Sequence, residues 1–147
     1  MDEAMLRRVM ARVYAGASGE TDDKKTGSSL TALLASEQER ERLYTELSGR
    51  SPVLRDALRP IRRALSERLR VLRTARFLQT GETARPAGKA AVRGGTLTLL
   101  RQAYHSAAEC AGLYAGAGAE LNGADRMAAA LGEEAESIEA LLRRIMQ

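Results

Sequence analysis

The sequence holds one cysteine, one histidine, one phenylalanine and no tryptophan in 147 residues. A lone Cys110 can form neither an intramolecular disulfide nor a thiolate zinc site, and it fits a reducing compartment. An aromatic fraction of 3% is too small to build the stacking surfaces that bind single-stranded nucleic acid. No apolar run approaches the ~20 residues of a membrane span. The opening residues, MDEAMLRRVM, carry acidic groups before any hydrophobic stretch, unlike a secretory signal. These absences predict a cytoplasmic protein without a membrane span.

The catalytic constellations are missing as well. No glycine-rich loop precedes a helix in the pattern that cradles phosphate, no zinc-ligand spacing occurs, and a single histidine, His105, offers no Ser-His-Asp set. The expectation is therefore weighted away from an enzyme.

What the chain does contain is alanine, leucine and arginine. A hydrophobic fraction of 44% in a chain of this length fits one domain with one core, and Ala and Leu favour helices. The net charge of +4 comes mostly from Arg, because the lysines are only Lys24, Lys25 and Lys89. A basic balance can serve nucleic acid or an anionic membrane. Here Arg alternates with Glu, as in SEQERERLYTEL, a pattern that reads as a solvated helix face.

Apolar spacing divides the chain into three parts. Residues 1–15 place Leu6, Val9, Met10 and Val13 on one side of a short amphipathic helix, a candidate contact for a second copy of the chain or another protein. Residues 16–29, GASGETDDKKTGSS, lack large apolar groups and read as a flexible linker. Residues 30–147 carry four helical segments. The first runs from about Leu30 to Ser48 and is stopped by Gly49. The second opens at Ser51-Pro52, a cap followed by proline, and continues to about Gln79; Pro60 either bends it or marks its true start. The third runs from about Thr96 to Leu121, and the fourth from about Ala124 to the end. Two tight hairpins are thus separated by the Gly- and Pro-containing stretch Gly81 to Gly95. That is an all-α bundle with a single long crossover.

The halves also repeat. Tyr44 and Tyr114 lie 70 residues apart, each closing a similar run. That offset carries Glu37 onto Ala107. A similar offset carries Leu65 and Arg68 onto Glu134 and Ser137. Glu37 and Tyr44 on a first helix, a triplet step on the second, a long crossover and the pattern again resemble the ferritin-like, rubrerythrin-like proteins. The resemblance implies a bundle in which a Glu from the first and third helices joins a Glu-x-x-His pair from each of the others to hold two metal ions. Carried onto this chain, the ligand positions are Glu37, Leu65, Arg68, Ala107, Glu134 and Ser137.

Glu37 and Glu134 survive as carboxylates, and both fall on apolar stripes, where an ionised carboxylate needs a metal, a cation or hydrogen-bond donors. Arg68 lies inside the stripe of the second helix. Three arrangements stay open. Arg68 pairs with Glu37, Glu134 or both in the core, with Tyr44, Tyr114 and Ser137 satisfying the remaining polar groups; or it sits at the rim with its head in water; or a metal site of altered composition persists. The resulting expectation is a ferritin-like scaffold that has lost its metal centre, carries no cofactor, and acts as a structural or interaction module. The alternative is a protein that binds iron or manganese through Glu37 and Glu134 and performs rubrerythrin-like oxidoreductase or iron-handling chemistry. A third reading uses the Arg surface for nucleic acid.

Overall fold

The chain is described by a computed structural model covering residues 18–82, 92–118 and 121–147, with side chains from residue 29. The described residues form four α-helices and no strand: α1 (Ser18–Arg50), α2 (Pro52–Thr80), α3 (Thr96–Gly116) and α4 (Ala124–Met146). None is long and apolar enough to cross a membrane. The amphipathic helix expected over residues 1–15 lies outside the described residues, as does most of the stretch between α2 and α3.

Helix α1 starts earlier than its apolar pattern. Residues 18–29, expected to be a linker, continue the helix. Once the turns from Leu30 onward are anchored by packing, each further residue adds to an existing helix without a new nucleation cost. The segment contains no proline to stop it. The apolar pattern marks where α1 packs and says nothing about where it ends.

The joint between α1 and α2 is the single residue Ser51. Its extended backbone (φ −157°) turns the chain, its hydroxyl accepts from the Leu54 amide, and Pro52 occupies the first helical position, where the missing N–H costs nothing. Pro60 does not start the helix, since α2 runs through it. Pro60 and Asp56, four residues earlier, both face solvent, so water can satisfy the carbonyl that proline leaves without a donor. Gly81 ends α2 in the left-handed conformation (φ 72°), its amide donating to the Phe77 carbonyl at 2.7 Å. α3 ends at Gly116, earlier than Leu121.

Three arginine contacts give the helix directions. Arg62 and Arg76 of α2 donate to Thr45 and Thr31 of α1, so α1 and α2 are antiparallel. Arg50, the last residue of α1, donates to Thr96, the first of α3, while Glu37 accepts from Tyr114 further along α3. α3 therefore also opposes α1. The end of α2 lies beside Thr31 and the start of α3 beside Arg50, so the connection between them joins opposite ends of the bundle. That separation is about 28 Å along α1, within reach of residues 81–95.

The core is built from leucine and small residues. Leu54, Leu58, Ile61, Leu65, Leu69 and Leu72 of α2 are buried with Arg68 among them. α3 contributes Leu99, Leu100, Ala103, Ala107, Cys110 and Tyr114.

Candidate functional site

Five polar or charged residues are buried among the described residues: Glu37, Arg40, Ser48, Arg68 and Glu134. Four of them meet. Glu37 and Arg40 come from α1, Arg68 from α2 and Glu134 from α4. Tyr44 of α1 and Tyr114 of α3, each fully buried, close the cluster.

Every carboxylate oxygen in the cluster contacts a cation or a hydroxyl. Glu37 Oε2 accepts from Arg68 Nε at 2.5 Å and from the Tyr114 hydroxyl at 2.7 Å. Glu37 Oε1 accepts from Arg68 Nη2 at 3.2 Å and from Arg40 Nη1. Glu134 Oε1 accepts from Arg68 Nη2 at 3.0 Å. Glu134 Oε2 accepts from the Tyr44 hydroxyl at 2.6 Å and forms an ion pair with Arg40 Nη2. The Arg40 guanidinium also lies 5.7 Å from the centre of the Tyr44 ring, within cation–π range. Two positive and two negative groups thus sum to zero in the centre of the bundle.

Neutrality lets the cluster survive there. Each isolated charge would lose several kcal/mol on leaving water, and attraction between alternating charges in a low dielectric offsets that loss only when the remaining lone pairs are satisfied. The tyrosines meet the second condition, each donating to one carboxylate. Their phenols are held above the ordinary range. Burial is the largest cause for both, joined at Tyr114 by the charge of Glu37 and opposed at Tyr44 by Arg40. Burial works against the Arg68 cation, but the hydrogen bond and charge of Glu37 outweigh it and raise its pKa.

Of the residues singled out in the sequence, the structure brings together Glu37, Glu134, Arg68, Tyr44 and Tyr114. Leu65 and Ala107 are buried, as their stripes require. Ser137 is a correction. It is exposed, and its hydroxyl donates to the Glu133 carbonyl at 3.1 Å. Three residues beyond Glu134 and one before Ile138, it falls past the edge of the buried stripe. His105 is exposed, edge-on to Tyr104. Cys110 is buried and free, its thiol pushed up by burial and then by Glu37.

Arg40 was not anticipated. It sits in the Arg/Glu run SEQERERLYTEL, expected as a solvated face, yet Glu37 and Arg40 are both fully buried. The signal was the spacing of Leu33, Glu37, Arg40, Tyr44 and Leu47, which steps by four and three along one helix face.

No protein-family model, no curated protein and no solved structure matches the chain.

Proposed function

We infer that the chain is a ferritin-like bundle whose centre is closed by an arginine–carboxylate cluster where metal-bearing bundles of that design hold metal, and that it serves as a non-enzymatic structural or interaction module. The observation that carries this reading is the position of the two guanidiniums between Glu37 and Glu134. A metal ion between those carboxylates would have to displace two fixed cations and would meet no imidazole. Arginine does not deprotonate in compensation. The antiparallel pairs and the end-to-end connection between α2 and α3 support the ferritin-like part of the reading.

Metal analysis tests it. Protein purified without chelator should carry no stoichiometric iron or manganese, and millimolar Mn(II) or anaerobic Fe(II) should leave the thermal midpoint unchanged. Stoichiometric metal released by Glu37→Gln or Glu134→Gln would establish the metal-binding alternative instead.

A further inference from the structure

Away from the central cluster, at the end of the bundle where α1 and α4 finish and α2 and α3 begin, lies an open pocket of about 390 Å³. Leu54 and Leu141, both buried, form its apolar floor, and the more exposed Val53 and Ile145 stand at its sides. Arg50 and Arg144 line the same pocket.

The two arginines differ in how they are held. Arg50 is positioned by Glu46, which accepts from its Nε at 3.3 Å, and by Thr96, which accepts from its Nη1 at 3.4 Å. No other described residue hydrogen-bonds the rest of the fork. Arg144 forms no ion pair with a described residue, whereas its neighbour Arg143 is paired with Glu139. Among the described residues that line the pocket the charged side chains are Arg50 and Arg144, and Glu46 pairs with Arg50, which leaves a positive excess over an apolar floor.

We propose that this pocket binds a small organic anion with an aliphatic body, of the carboxylate class, its head between Arg50 and Arg144 and its chain over Leu54 and Leu141. The volume supports a small molecule, because ligand pockets run from about 300 to 1,000 Å³. A stable protein partner would cover about 800 Å² on each side, far more than these few side chains provide. Guanidinium forks over an apolar floor select against the neutral analogue, which fills the floor but leaves the charges unmatched. The proposal is independent of what the central cluster does.

Octanoate and 1-octanol are suitable probes of the full chain, followed through backbone amide NMR shifts. Octanoate should saturably shift Val53, Leu54, Thr96 and Ile145, and octanol should bind at least about tenfold more weakly. Arg50→Gln and Arg144→Gln should each weaken octanoate about tenfold while the helical circular dichroism stays unchanged. Three results would overturn the proposal: octanoate shifts that are absent or map elsewhere, equal binding of octanol, or unchanged affinity in both variants. The same amides shifting with protein concentration alone would also overturn it, by showing that a second copy of the chain covers this end.

Discussion

Arg40 and Arg68 reach the same oxygen, Oε1 of Glu37, from two different helices. Two cations on one atom are tolerable only because Glu134 takes the other side of both guanidiniums. The charges therefore alternate around the cluster, and its stability depends on the balance between them more than on any single contact.

Balance makes the first prediction. Arg68→Leu leaves one unmatched negative charge in the core and should cost about 3–5 kcal/mol in urea unfolding. Adding Glu37→Gln to Arg68→Leu restores neutrality around the remaining Arg40–Glu134 pair and should recover much of that loss. The coupling between the two sites should then exceed about 1 kcal/mol. A mild Arg68→Leu effect that adds simply to that of Glu37→Gln would show that the balance is not what holds the cluster.

Much of this cluster was legible in the sequence, and the reason is physical. Glu37, Arg68 and Glu134 each interrupt an otherwise apolar stripe, and a charge in that position must be resolved by something. Arg40 escaped because its neighbours Glu39, Glu41 and Arg42 are charged too, so local alternation hid its place on the four-and-three step. Ser137 was misplaced for the opposite reason, since a small polar residue at a stripe edge fits either side. Helix lengths were the least legible feature. Residues 18–29 have no packing pattern to read, and α3 stops at Gly116, before the expected end at Leu121.

The tyrosines give the cluster a pH limit. Both phenols are raised in the folded protein, so the unfolded chain ionises first, near pH 10. Their contribution is complete below about pH 10 and is lost as pH rises above it towards the folded values. Tyr114 should lower stability by about 1.4 kcal/mol per pH unit in that window, and Tyr44 should add to the slope in the same direction. Tyr114→Phe should cost about 1–3 kcal/mol at neutral pH, by leaving Glu37 short of a donor, and should flatten the alkaline slope. Urea unfolding at intervals between pH 9 and 11.5 measures both effects; a slope unchanged by the substitution would count against the buried phenol.

Cys110 offers a probe of opening. Burial and the Glu37 charge raise its pKa, and the thiolate is the reactive form. Iodoacetamide should leave native protein unmodified at neutral pH over hours and alkylate it rapidly in denaturing urea. Fast native alkylation would mean that α3 separates readily from α1.

The last prediction tests the proposal that Arg40 and Arg68 exclude metal. Arg68→His, Leu65→Glu and Ala107→Glu together restore carboxylates and an imidazole at positions that the ferritin-like resemblance assigns to ligands. Leu65 and Ala107 are both buried, so the new carboxylates point into the interior and destabilise the metal-free protein. In this triple variant Arg40 still bridges Glu37 and Glu134, and its charge should continue to repel a divalent ion. Adding Arg40→Leu removes that charge. The quadruple variant should unfold at lower temperature without metal and recover with Mn(II), by about 4 kcal/mol when free metal is ~1,000 times the dissociation constant. The triple variant should recover far less. Equal rescue of both would show that Arg40 is no obstacle to metal, and rescue of neither, in protein that circular dichroism shows to be helical, would remove the ferritin-like reading of these positions.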